Sequence, residues 1–510
     1  MNLRREPMSG VDAAWLRMDR ATNRMQILGM VGLRGPVSLE ALRARIARSF
    51  LAHPRFLSRP VEATLGAAWE EVPDFDLHWH VRGRRLPART SEATLRRLLG
   101  ELAAARFDPA RPWWEFLLLR LGARRSVLVA RIHHCYADGV ALVRVVLGVF
   151  DAAEPDTRAG DVAHPAASAL KRAVESAPVG SAALESALDP PLAALALERL
   201  GAAWRESQAW LERGLRLAQH PAEAASLAGA GLDFAAELAQ LAGLPDEPAT
   251  ALRGALSGDK RLAWAPPFPL EAVRSAAHAL GCTINDLLVA AASGALAAWL
   301  RRAGGAPARI PGLRAVVPVN LRTAGEVAGL GNRFGLVFLD LPVGHRAARE
   351  RLQTVRDRML ALKRSRQPPL TLALLATLGL APRVVETAAI DLLSRKASLV
   401  LSNVPGPRER QSLLGAPVES MMFWVPQSGN VGLGLSLLTC GGEVRFGVVA
   451  DAALVPEPHW LARRFVAELR ACVALAQVPP PTAEPAPRRR RTRQGAAAVS
   501  RARAAPRARR

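Results

Sequence analysis

Between Arg131 and Leu147 the chain reads RIHHCYADGVALVRVVL, and the seven positions from His133 to Gly139 hold two histidines, Cys135, the only tyrosine (Tyr136), Asp138 and a glycine. Such side chains can serve a metal ion, a thiol nucleophile or a general base. A zinc-type site needs three or four convergent ligands. The two histidines with Asp138, or with His78 and His80 of the stretch HWH, would have to meet, and the spacing does not bring them together. A Cys135 nucleophile needs a base within reach in space, whereas a lone cysteine otherwise packs as a small apolar residue. A histidine base fits best: imidazole titrates near neutrality, so its neutral form can take a proton from a hydroxyl or amine that attacks a carbonyl. Asp138 would then fix the turn through hydrogen bonds or an ion pair, and Gly139 would permit tight backbone geometry with no side chain over the site. A packed core histidine beside an ordinary Asp-Gly turn accounts for the same spacing without chemistry.

The elements around the motif decide how it is presented. SVLVARIHH is rich in β-branched and apolar residues and predicts a strand; GVALVRVVLGVF predicts a helix beginning just after the Asp-Gly turn. Neighbouring strand residues point to opposite faces, so His133 and His134 cannot both face one substrate. Over its 510 residues the chain is long enough for two domains of about 200 residues each. Residues 1–160 mix strand-like and helical runs such as LEALRARIARSFL, as an α/β domain would. Residues 161–255 shift to Ala, Leu and Glu and predict a helical connector. Residues 256–478 return to the mixed texture, with strands expected at LRAVVPVNL, GLVFLDLPV, KASLVLSNV and GEVRFGVVAD. In TIND, Thr283 and Asp286 have capping-box spacing ahead of an apolar run, and Asn285 is left free.

Composition narrows the class. The net charge is +23, yet only four of 68 basic residues are lysine, and residues 481–510 alone hold ten arginines against one glutamate. The segment 479–510 has little apolar bulk and reads as a disordered, solvated tail with at most weak attraction to anionic membranes or polyanions; no specific nucleic-acid site is implied. Four scattered cysteines give no disulfide framework, which fits a reducing cytoplasm. The N-terminus lacks an apolar run of signal-peptide length. In the most apolar window, PPLTLALLATLGLAP, prolines bracket about a dozen apolar residues, short of the roughly 18 needed to cross a bilayer.

HHCYADG is also the HHxxxDG pattern of the CoA-dependent acyltransferase superfamily, which includes chloramphenicol acetyltransferases, peptide-synthetase condensation domains and bacterial wax ester synthase/diacylglycerol acyltransferases. Further stretches resemble the last of these, in its order: MSGVDAAWLRMD (Met8 to Asp19), VPDFDLHWHVR, FDPARPWWEF, GCTINDLLVA, VVPVNLR, GNRFG, LSNVPGP and MFWVPQSGNVGLGLSLL. The resemblance implies an α/β fold of two chloramphenicol-acetyltransferase-like domains joined by the connector, with the active site in an interdomain tunnel. It implies His134 as general base, His133 orienting the strand, and Asp138 and Gly139 holding the loop. It places Asn285 near the site. VVPVNLR and LSNVPGP become scaffold or channel wall, and Pro112, Trp113 and Trp114 become substrate contacts, with Trp113 standing where the family has leucine. No cofactor is implied, because acyl-CoA is a substrate; the partners are acyl-CoA and either diacylglycerol or a fatty alcohol. Such substrates place the protein in the cytoplasm, peripheral at the inner membrane face or on lipid inclusions. A condensation-type enzyme using an amine or carrier-bound substrate, and an inactive lipid-droplet binding protein, are the competing readings.

Overall fold

The strand expected from SVLVARIHH runs Arg125–His133 and lies inside a mixed six-stranded sheet. In the computed structural model, which describes residues 4–62, 66–151, 243–306, 309–310, 312–322 and 330–477, this strand pairs antiparallel with Gln26–Arg34 on one side and Trp114–Leu121 on the other. Val81–Leu86 closes one edge, parallel to Trp114–Leu121. Apolar residues on both faces suit a central strand. Packed against them is an aromatic cluster of Phe50, Phe56, Trp114, Phe116 and Tyr136.

A second sheet runs, in spatial order, Phe334–Leu341, Leu313–Asn320, Leu399–Pro405, Leu433–Cys440, Glu443–Asp451 and Lys260–Trp264. All four strands expected in this part of the sequence are present. The helix Ile284–Arg302 packs in its core and starts at the expected capping box, with Thr283 Oγ1 accepting from the Asp286 amide at 3.1 Å and Asp286 Oδ2 accepting from the Thr283 amide at 2.8 Å. It is buried from Asp286 to Leu300, so its apolar run belongs to the core of the protein. Among the described residues no single helix is long and apolar enough to cross a membrane.

The expected division into 1–160 and 256–478 follows the chain but not the sheets. Ala416–Trp424, from the second stretch, pairs antiparallel with Gln26–Arg34 and so completes the first sheet. Trp424 pins the exchange, its indole N–H donating to Ala263 O at 3.1 Å, within a cluster that joins Leu28 and Met30 to Leu262 and Val449. The helix Gln367–Leu378 likewise packs on Gly10–Arg17, where a Cβ at Gly10 would stand 2.0 Å from Ala376 O. Only glycine allows that approach. Residues 243–255, the described end of the expected helical connector, form turns. Pro245 and Pro248 break a helix there, and Glu247 is drawn into the second sheet, accepting from the Arg314 amide at 2.8 Å and from Ser398 at 2.6 Å. The rest of the expected connector, 161–242, and the expected tail, 479–510, lie outside the described residues.

Candidate active site

His134 follows the last residue of its strand, and its amide donates to Met25 O at 2.7 Å. The two histidines face opposite sides: His134 lines one cavity and His133 another. Trp15 stacks on the His134 ring at 4.4 Å and 20°, and Phe334 tilts against it at 5.5 Å. Nδ1 of His134 lies 3.0 Å from Asn332 Oδ1. The orientation of Asn332 follows from its other bonds: Nδ2 donates to Asp12 Oδ1 at 2.8 Å and to the His134 carbonyl at 2.9 Å. Those partners accept, so the amide oxygen faces the ring and Nδ1 carries the proton. Nε2 keeps its lone pair and is the nitrogen left for the cavity. Burial pushes the His134 pKa down to about 4, against the opposing pull of Asp138 and Asn332. The ring is therefore neutral at physiological pH, the form a general base needs.

Both carboxylate oxygens of Asp138 are engaged. Its Oδ1 caps the helix Gly139–Leu147 by accepting from the Ala141 amide at 2.9 Å. Its Oδ2 accepts from Arg322 Nε at 3.0 Å and Nη2 at 2.7 Å, and from the Arg333 amide at 3.0 Å. Both members of the Asp138–Arg322 pair are buried. With Ala137 bridged to Gly331, these bonds dock the motif loop on the segment Gly331 to Arg333 of the other half. Gly139 needs no tight backbone geometry. It occupies an ordinary first helical turn, and a Cβ there would meet Val404 at 3.8 Å, a normal contact. What glycine gives this position is room in the cavity that it lines.

The His134 cavity measures about 400 Å³ and is walled mainly by apolar side chains, including Met30, Leu128, Val143, Val316 and Leu336. Its few polar groups include Asn320 and Asn403. A largely apolar pocket with a small number of placed polar groups is the usual form of a small-molecule site. VVPVNLR and LSNVPGP both contribute residues to its wall. Asn285 stands one residue back, its Oδ1 accepting from Asn403 Nδ2 at 2.8 Å. Pro112, Trp113 and Trp114 do not line this cavity. Trp114 is fully buried in the core, donating to Phe56 O at 2.7 Å, and Trp113, on the alternate face, packs edge-on against His133 at 5.0 Å.

Cys135 is fully buried, and burial raises its thiol well above the usual range, so it stays protonated. The Tyr136 hydroxyl is committed, donating to Ser58 O at 2.7 Å and accepting from the Trp113 amide at 2.9 Å. Among the described residues no three His, Cys, Asp or Glu side chains gather as metal ligands do. Sequence reasoning assigned no role to Asp12, Trp15, Arg322, Asn332 or Phe334, although all five lie in the stretches MSGVDAAWLRMD, VVPVNLR and GNRFG. Their signal was a polar or aromatic residue inside an otherwise apolar motif.

Comparison with known proteins gives a consistent answer. Residues 8–288 match the wax ester synthase/diacylglycerol acyltransferase catalytic domain, and residues 330–472 match the C-terminal domain of the same family. The chain is 27% identical over 486 residues to a probable diacylglycerol O-acyltransferase of Mycobacterium tuberculosis, covering 92% of this chain and 96% of that one. A putative diacylglycerol O-acyltransferase of the same species is 28% identical over 502 residues, covering 93% and 92%. Among solved structures, the wax ester synthase/diacylglycerol acyltransferase from Marinobacter aquaeolei superposes with a TM-score of 0.61 at 18% identity, covering 93% of this chain and all of that one. The first condensation domain of the calcium-dependent antibiotic synthetase gives 0.55 at 16% identity, covering 93% and 97%.

Proposed function

The chain belongs to the wax ester synthase/diacylglycerol acyltransferase family, and we propose that it transfers a long-chain acyl group from acyl-CoA to the hydroxyl of diacylglycerol or of a long-chain alcohol, with His134 as general base. One observation carries this reading: a neutral imidazole, held through Nδ1 by Asn332, leaves Nε2 to an apolar cavity of about 400 Å³. In the reaction the acceptor hydroxyl gives its proton to Nε2 as its oxygen bonds to the thioester carbon. The tetrahedral intermediate collapses, the C–S bond breaks, and the imidazolium returns the proton to the departing thiolate. Ester and free CoA leave, and His134 is neutral again. The surroundings that hold its pKa near 4 penalise the charged ring and favour that return. No covalent acyl-enzyme is required, so Cys135 takes no part. No cofactor enters the scheme, and the lipid substrates place the protein at the cytoplasmic membrane face or on lipid inclusions.

The test is CoA release by purified protein given palmitoyl-CoA with dioleoylglycerol, hexadecanol or an amine, the lipid product being identified. His134→Ala is expected to lower turnover by roughly 10²–10⁴-fold, the usual contribution of a positioned base, while Cys135→Ala retains it. Activity that needs Cys135, or survives intact without His134, overturns the mechanism. Preference for an amine moves the chain to the condensation-type reading.

A further inference from the structure

Asp12 is only 2% exposed and takes no part in the reaction steps above, yet a single side chain separates it from the base. It is the third residue of the helix Gly10–Arg17, whose cap Ser9 accepts from the Asp12 amide at 3.1 Å. In the helix Ile284–Arg302 the acid at this spacing, Asp286, turns back to the Thr283 amide and closes a capping box. The Asp12 carboxylate reaches across the molecule instead. Its Oδ1 accepts from the backbone amide and from Nδ2 of Asn332, at 3.0 and 2.8 Å, 320 positions along the chain.

Among the described residues the Asp12 oxygens meet donors and a cation: Asn332 on Oδ1, and the Arg55 guanidinium 3.7 Å from Oδ2. Burial pushes the carboxyl up, against the opposing pull of Asn332, Arg55 and Ser9. The positive end of its own helix also favours the charged form. Arg55 is held in turn over the Trp69 ring at 5.2 Å. Gly331 keeps the space between them clear, since a Cβ there would stand 3.4 Å from Arg55 Nη1 and 3.6 Å from Asp12 Oδ2. Three residues beyond Asp12 on the same helix, Trp15 stacks on the His134 ring. Residues three apart share a helix face, so one short helix supplies both a wall for the imidazole and an anion behind its partner.

Arg55, Asp12, Asn332 and His134 Nδ1 therefore stand in series. When Nε2 takes a proton the ring becomes a cation, and its Nδ1–H bond to Asn332 Oδ1 becomes charge-assisted. An amide whose N–H rests on a carboxylate carries more negative charge on its oxygen, because linked hydrogen bonds polarise one another. We propose that Asp12 is a positioning residue for His134, its carboxylate acting through the Asn332 amide to orient the ring and to stabilise the imidazolium. This is the logic of an acid–base triad with an amide set between acid and base. What the base does rests on the acyltransferase reading, whereas the contact itself can be read on the ring proton without substrate.

Asp12→Asn in the full-length protein keeps the shape and an acceptor for Asn332 but removes the charge. Its kcat with palmitoyl-CoA and dioleoylglycerol or hexadecanol is expected to fall about tenfold, as when a supporting partner of a functional histidine is altered, with KM unchanged. In an Asn332→Ala background the same substitution should cost less than about twofold, because the series is already cut. In substrate-free protein carrying isotope-labelled histidine, the Nδ1 proton resonance of His134 is identified by its loss in His134→Gln and should move upfield in Asp12→Asn. Thermal unfolding checks that each variant is folded. Should Asp12→Asn unfold, Asp12→Ser, smaller and still able to accept from Asn332, takes its place. A normal kcat, an equal loss with and without Asn332, or an unmoved resonance overturns the proposal. Wild-type protein that releases no CoA overturns the acyltransferase reading, and the resonance alone then decides whether Asp12 acts on the ring.

Discussion

Asn332 and His134 are joined twice, by side chains at 3.0 Å and by the His134 carbonyl, which accepts from Asn332 Nδ2 at 2.9 Å. The two residues lie 198 positions apart, in different halves of the chain. This contact fixes the tautomer in which Nε2 can act as a base. Asn332→Ala is therefore expected to lower kcat by about 10–100-fold, the range seen when a supporting hydrogen bond to a functional histidine is removed, with little change in KM. The loss should be smaller than that of His134→Ala. Steady-state kinetics on both variants decides it, and an Asn332→Ala enzyme with normal kcat would falsify the positioning role.

The buried Asp138–Arg322 pair makes a second prediction. Removing one partner of such a pair leaves an uncompensated charge and costs about 3–5 kcal/mol. Arg322→Met should lower the urea midpoint accordingly with an unchanged slope. Adding Asp138→Asn should recover part of that loss, because the stranded carboxylate is gone and asparagine still caps the helix. Purely additive losses would mean that the two side chains are not coupled.

Which of these features could be read beforehand depends on their range. KASLVLSNV carries a short apolar run and becomes the strand Leu399–Pro405, and TIND contains both halves of its capping box within four residues. Those signals are local. Nothing local tells Ala416–Trp424 that its partner is Gln26–Arg34, since alternation specifies a face and leaves the neighbour open. The same limit hid Asn332 and Arg322: each acts on the motif from across the molecule. HHCYADG brought His134 and Asp138 forward as candidates because both lie within one short motif. Pro112, Trp113 and Trp114 lie away from the His134 cavity because a motif position does not reveal which face of its strand a ring occupies, and Trp114 turns into the core.

Gly139 leads to a prediction with opposite signs for fold and cavity. Its backbone suits any residue, so Gly139→Ala should raise stability by about 0.4–1 kcal/mol through the unfolded chain. A larger side chain at the same position enters the cavity beside Val404. Gly139→Leu should remain folded yet lose turnover, more severely with hexadecanol than with a short alcohol. Equal losses for both alcohols would place the acceptor chain elsewhere.

Burial sets the pH dependence of stability at two histidines, His80 and His134, each pushed down to about 4 from an ordinary 6.5. Below pH 6.5 the unfolded chain takes up protons that the folded rings refuse, so stability falls as pH falls towards 4, and above 6.5 neither ring contributes. Each can account for up to about 1.4 kcal/mol per pH unit within that window. His80 allows the effect to be isolated, since it lies outside the His134 cavity, bonded through Nδ1 to Trp114 O at 2.7 Å and stacked on that indole at 4.3 Å. His80→Gln keeps an N–H donor but cannot titrate. Its unfolding free energy, measured from pH 7 to about 4.5, should sit below the wild type at pH 7 and decline less steeply, by close to one proton. Parallel curves would mean that His80 already carries its proton in the folded protein, and the aromatic packing around it would then have to accommodate a charge.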